Sequence, residues 1–415
     1  MPKLNETIQQ AREAAKSILQ PSARDIEHGL ELHKNSLVVE SYGFAPRAAA
    51  DGETINEAIE AGASGLEIQD LNEDSFLSGM ATDDAQCAEF KEAWDASGVT
   101  CVLQNAGEEG STVKRLVKRL ARFTWLADML RDFCPKAVTP NDIVAAKEAG
   151  RHCFYLTGNG VPIPHDFVSV EEELRFIRVF FQLGIRMMHL TYNRRNMIGD
   201  GCGETTDAGL SDFGHAVVKE MNRVGIIVDV SHSGLQTGYD AAKASEKPMV
   251  ISHSTCAALN QHIRAKTDDV IRAVVDTGGY MGICCIPSFL GGGGDINTML
   301  DHIDYMIKTF GADHLAIGTD VSYTSSSNGP RVNRTKSRNR WEGLWPENSF
   351  SDAFRDARMV ESMAWTNWPM FTVGMVQRGH SDEDIQKILG GNILRVARAV
   401  LPDEMTQISD SHSLS

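Results

Sequence analysis

Two runs in the middle of the chain decide the fold: Ile226-Ile-Val-Asp-Val-Ser-His232 and Pro248-Met-Val-Ile-Ser-His253. Each is apolar, β-branched and of strand length, and each stops at a histidine. Such runs are typical of strands buried in a parallel sheet. A helix-like stretch lies between them, so the unit reads strand, crossover, strand. In an α/β barrel the C-terminal ends of the strands form the active-site face. Two imidazoles in matched positions on adjacent strand ends would point into one mouth, as the ligands of a catalytic metal commonly do. The plainer reading is a pair of hydrogen-bonded histidines capping buried strands. It suits either residue alone, and the matched pair favours the metal.

The alternation continues in both directions. Toward the N-terminus, strand candidates fall at 36–40, 65–69, 99–104, 153–157 and 186–191, separated by helical stretches. Toward the C-terminus, 279–284 and 314–320 follow helices at 267–276 and 295–309. Repeated strand and helix argue for a parallel sheet of the α/β class. Chemistry-bearing residues at successive strand ends favour closure into one (β/α)8 TIM barrel. Nine candidates compete for eight places, so one, 99–104, is expected to be an excursion or a partly formed strand. Residues 1–35 read as an N-terminal helical extension, 36–400 as the barrel and 401–415 as a C-terminal tail.

With 415 residues, 42% of them hydrophobic, the chain can bury a large core. Its formal charge of −16 repels nucleic acid and anionic membranes, so neither is an expected partner. No run is as long as a membrane span, and the first residues lack the apolar centre of a signal peptide. Eight scattered cysteines with no C-x-x-C pair suit reduced thiols, and a cytoplasmic protein is expected.

Asp320 closes the run Ile317-Gly-Thr-Asp320, where a carboxylate can take a proton from a metal-bound water or simply cap the following loop. Arg264 follows the His253 strand; its guanidinium suits a substrate carboxylate, or a surface ion pair. The loop 190–204 gathers Tyr192, Asn193, Asn196, Asp200, Cys202 and Glu204, and Cys202 or Glu204 is a possible extra ligand. His165 and His262 lie in loops on the same face and read as solvent-facing. The glycine run 291–294 lacks the Lys-Ser/Thr of a phosphate loop and reads as a flexible loop.

GLSDFGHAVVKEMNRVGIIVDVSHSG, PMVISHSTCAALNQHIRAKTDDVIRAVVDTGGYMGI, ADHLAIGTD and GGNILRV, in that order, resemble the renal (membrane) dipeptidase family of amidohydrolase-like barrels. The resemblance is specific over about 170–320 and at 389–396. It implies that His232 and His253 bind metal, that Arg264 holds a substrate carboxylate and that Asp320 is the proton acceptor. A family histidine that contacts the tetrahedral intermediate falls on Tyr192, which can donate a hydrogen bond but carries no cationic charge. Asn193 and Asn159, in the neighbouring loops, are expected to touch the substrate. A homo-oligomer is also implied.

The departures matter as much. The family's first strand ends in Asp-Gly-His-x-Asp, whose His and Asp are zinc ligands; here the run is Glu40-Ser-Tyr-Gly-Phe44. The family's bridging glutamate falls near Thr157-Gly-Asn-Gly160. The expectation is therefore one divalent metal at most, zinc with iron or manganese as alternatives. Glu40 and Glu67 are candidate replacement ligands, beside Cys202 and Glu204. The implied function is metal-dependent hydrolysis of a small, carboxylate-bearing, dipeptide-like amide. Two alternatives stay open: a non-hydrolytic enzyme (a C–C or C–N lyase or a decarboxylase) on the same barrel, and a metal-free ligand-binding or scaffold protein.

Overall fold

The computed structural model describes residues 4–107, 112–161, 169–326, 329–333 and 340–401. Among them, eight parallel strands form the barrel: Val39–Gly43 (β1), Cys101–Asn105 (β2), Cys153–Gly158 (β3), Met187–His189 (β4), Ile227–Asp229 (β5), Val250–Ser254 (β6), Tyr280–Ile283 (β7) and Leu315–Ile317 (β8). Each pairs with the next in sequence order. The last edge is drawn to the first where Asp320 N–H donates to Tyr42 O at 3.3 Å and Arg47 N–H to Tyr323 O at 3.0 Å. A two-residue strand, Lys136–Ala137, pairs with β3 outside the ring.

Successive strand residues face opposite sides, and two cores result. Val39, Leu103, Tyr155, Met187, Ile227, Val250 and Tyr280 belong to the core inside the barrel. Val102, Phe154, Met188, Val228, Ile251 and Met281 belong to the larger one, between strands and helices. Helices Pro140–Glu148 and Asn392–Val400 bring Ile143, Ala146, Ile393 and Val396 to the inner core. The crossover helix Asp212–Val224 shows how locally such elements are set. Ser211 Oγ caps it by accepting from Gly214 N–H at 2.9 Å, worth about 1 kcal/mol. Gly225 ends it at φ +95°, a left-handed conformation that favours glycine. Its buried stripe is Val217, Val218 and Met221.

Helices Glu6–Leu19 and Ala23–Asn35 precede the barrel and pack on it. A Cβ on Gly29 would come within 2.7 Å of Val373 in helix Trp368–Gln377, so that approach requires glycine. Two expectations are corrected. The stretch 65–69 is the first turn of helix Gly65–Thr82, begun by a capping box in which Ser64 N–H donates to Glu67 Oε2 at 2.7 Å. The stretch 99–104 is no excursion: it supplies β2, paired on both edges. His165 and residues 402–415 of the expected tail lie outside the described residues.

Candidate active site

The inward-facing series on β4 and β5 runs from apolar to polar within two residues. Met187 and Ile227 line the inner core; His189 and Asp229, one period further, are register partners. His189 Nε2 lies 2.7 Å from Asp229 Oδ2. Asp229 is fully buried. Its Oδ1 accepts from Ser231 N–H (2.9 Å), Ser231 Oγ (2.7 Å) and Ser252 N–H (3.1 Å), and its Oδ2 accepts from Ser252 Oγ. Burial pushes this carboxyl up, but His189 and the hydrogen bonds outweigh it and hold Asp229 well below the usual carboxylate range.

The two strand-end histidines meet here. His232 Nε2 and His253 Nε2 are 3.1 Å apart. The ligand atoms of His189, Asp229 and His253 lie within 4.8 Å of one another. Each Nδ1 has a partner: Asn159 Oδ1 for His189 (2.6 Å), Asn193 Oδ1 for His232 (2.8 Å) and Ser252 Oγ for His253 (2.8 Å). Burial, reinforced by Arg264, holds His232 and His253 well below the ordinary histidine value, so both are neutral. Neutral imidazole is the form that binds metal.

Above them is a cavity of about 250 Å³, lined by Tyr42, Phe44, Asn105, Asn159, Tyr192, His232, Ile286, Phe289, Asp320, Trp345 and Phe350. Tyr42 stacks on His253 (centroids 4.0 Å, planes 11° apart) and Tyr192 on His232 (4.3 Å, 28°). Tyr192 Oη accepts from Trp345 Nε1–H at 3.2 Å. Asp320 Oδ2 is 4.0 Å from His253 Nε2. Asn193 (φ +54°) and Asp320 (φ +58°) both hold left-handed backbone at this mouth, which their residue types tolerate better than most.

His232, His253, Asp320, Tyr192 and Asn159 thus share one mouth, with Asn193 bracing His232. Arg264 lies behind the strand ends. It is fully buried, donating from Nη2 to His253 O at 3.1 Å and from Nη1 to Ser231 O. Its Cζ is 5.7 Å from the ring centroid of the cavity residue Phe289. The candidate carboxylate replacements go elsewhere. Glu40 faces the helix layer and accepts from Thr319 N–H (3.2 Å), Thr319 Oγ1 and Trp365 Nε1–H (2.7 Å); burial pushes its carboxyl up to about 8. Glu67 caps a helix. Glu204 accepts from Arg195 N–H at 2.9 Å. Cys202 Sγ donates to Asn193 Oδ1 at 3.2 Å, and burial raises its thiol. His262 is occupied with Ser349 O at 2.9 Å.

The family's two-metal set does not fit, since Tyr42, Phe44 and Thr157 stand at three of its ligand positions. Thr157 Oγ1 is used on Gln104 O at 3.2 Å. A single ion fits: His189 Nε2, buried at 1% exposure, has no hydrogen-bond partner among the described residues. His189 and Asp229 were not singled out in the sequence, although counting by two from Met187 and Ile227 reaches both.

Fold and mouth define a parallel (β/α)8 barrel with a cluster of residues able to hold a metal ion at its strand ends. The family model for membrane dipeptidase, peptidase family M19, matches residues 72–330, and the chain belongs to that family. Dipeptidase tcpJ of Claviceps purpurea is 29% identical over 231 residues, 54% of this chain and 47% of the relative. The chain spans about half the length of the curated relatives it matches. An amidohydrolase from Pseudomonas aeruginosa shares the fold with a TM-score of 0.64 at 24% identity, over 90% of this chain and 98% of that one. A metallopeptidase from Rhodobacter sphaeroides, solved with a phosphinate mimic of the dipeptide L-Ala-D-Ala, gives a TM-score of 0.62 at 16% identity over 88% and 100%.

Proposed function

We propose that this chain is a metal-dependent hydrolase of small, carboxylate-bearing, dipeptide-like amides, with one divalent ion on His232 and His253. Zinc is the first choice, iron or manganese the alternatives. The observation that carries this reading is the pair of buried imidazoles, with Nε2 atoms 3.1 Å apart, beneath a cavity edged by Asp320. When bound, such an ion polarises a carbonyl and acidifies a water. Asp320 exchanges a proton at Oδ2 on the cavity side of His253. Tyr192 Oη and the Asn159 amide orient the polar atoms of the substrate. Asn193 keeps His232 in place. Arg264 sets a positive field for the substrate carboxylate from beneath Phe289. The dipeptidase relatives and the dipeptide mimic bound to the Rhodobacter enzyme support the substrate class.

A second reading, a lyase or decarboxylase, is favoured by Thr157 standing where a bridging carboxylate is expected, since such a step needs an electrophile and one acid or base. A cytoplasmic location suits the eight free thiols, and a homo-oligomer is expected. Elemental analysis with a panel of dipeptides and small carboxylic acids tests the proposal. The expected result is about one metal equivalent and dipeptide cleavage lost in His232→Ala and Asp320→Asn. Turnover of an acid without amide cleavage would select the second reading. A metal-free protein inert to the whole panel would overturn both.

A further inference from the structure

We infer that His189 and Asp229 complete the metal site, so that one ion is held on the β4–β6 arc by His189, Asp229, His253 and His232. This rests on the reading above that the mouth holds a divalent ion, and it adds two ligands outside the family's set.

The argument begins at Ser252. Its one hydroxyl hydrogen goes to Asp229 Oδ2, so toward His253 Nδ1, 2.8 Å away, its oxygen can only accept. Nδ1 of His253 therefore carries the proton, and Nε2 is a bare lone pair. The amide oxygens of Asn159 and Asn193 impose the same tautomer on His189 and His232. The lone pairs of His189 and His253 then lie with the Asp229 carboxylate within 4.8 Å of one another, and that of His232 adjoins them through His253. Those of His232 and His253 oppose each other at 3.1 Å, a contact that repels unless a cation lies beside them.

His189 gives the more decisive sign. Its Nε2 is 2.7 Å from Asp229 Oδ2 yet makes no hydrogen bond with it or with any other described residue. A proton on Nε2 would not lie on the line to the carboxylate. A cation to one side of that line satisfies both atoms. Asn159, Asn193 and Ser252 then serve as the outer partners that orient metal-binding imidazoles. Three imidazole nitrogens and one carboxylate oxygen are a ligand set that zinc accepts in tetrahedral geometry. His189 and Asp229 are register partners on adjacent strands, and His253 stands on the next strand. On the other side, the Tyr42 ring lies flat on His253 at 4.0 Å and fills the first-strand ligand position. The site has moved round the barrel, away from β1.

The competing account is a buried His189–Asp229 ion pair with no metal contact. Zinc titration of the full chain, followed by elemental analysis, separates the two. Zinc affinity is expected to fall at least about 100-fold in His189→Ala and in Asp229→Asn, and likewise in His232→Ala. Unchanged affinity in His189→Ala with loss in His232→Ala would overturn this inference and leave the proposed function standing. No uptake by the unmodified chain would overturn both. If the Asp229 or His189 variants fail to fold, pulsed electron paramagnetic resonance of the unmodified, copper(II)-loaded chain decides. Three coordinated imidazoles support the site; two or fewer reject it.

Discussion

Between β1 and β3 the strand ends carry Tyr42, Phe44 and Thr157; between β4 and β6 they carry His189, Asp229, His232 and His253. The first arc fills space with rings, and its threonine hydroxyl bonds to the backbone. The second holds a carboxylate at zero exposure, which is tolerable only because serine hydroxyls, backbone N–H groups and an imidazole surround it. Each strand end of a barrel is a separate mounting point, so charge can vanish from one arc while it is kept or rebuilt on another. The contrast teaches that losing a family's first-strand ligands need not empty the mouth.

The largest effect is expected from Asp229→Ala, measured by urea unfolding with a chelator present. It leaves two hydroxyls and two N–H groups without their acceptor, and a cost of about 3–5 kcal/mol is expected. A loss below about 1 kcal/mol would show that the polar arc is not a structural unit.

Next is the pH response of Glu40, behind the aromatic arc. Its folded value, near 8, is raised above that of an unfolded glutamate. The protonated form is therefore the one the fold favours. Its contribution is full below about pH 4.5 and is lost as pH rises through 8. Stability should fall by about 2–4 kcal/mol between pH 5 and 9. Glu40→Gln should flatten that slope; an unchanged slope assigns it to other groups.

Tyr42→Phe keeps the ring on His253 and removes only the hydroxyl. A cost of about 1 kcal/mol and an unchanged metal content are expected; loss of metal would make Tyr42 a ligand and erase the contrast between arcs. Glu204→Gln, outside both arcs, should shift stability by less than about 0.5 kcal/mol and leave metal uptake intact. Impaired uptake would bring Glu204 back as a ligand.

Much of this was legible in the sequence. The histidine-ended runs gave adjacent strands, and Asp320, Tyr192 and Asn159 reach the same mouth as His232. Two kinds of signal were harder to read. Leu66 and Ile68 alternate like a strand, but Ser64 and Glu67, three apart, form the capping box that starts a helix. Counting 65–69 as a strand then demoted the real β2. His189 and Asp229 hide inside apolar runs, where only the two-residue period marks them as inward-facing. Arg264 reads as a side chain for the mouth, yet the open carbonyls of Ser231 and His253 draw it behind the strand ends. Hydrogen-bond demand of that kind depends on how strand ends meet in space, and residue spacing does not express it.

Glu40 has one more consequence. The indole N–H of Trp365 ends on its carboxyl at 2.7 Å, deep in the helix layer. Ionising that carboxyl places a charge directly against a buried fluorophore. The chain thus carries an internal optical probe: the part of the tryptophan emission that Trp365→Phe removes should follow the proton on Glu40 with no label attached.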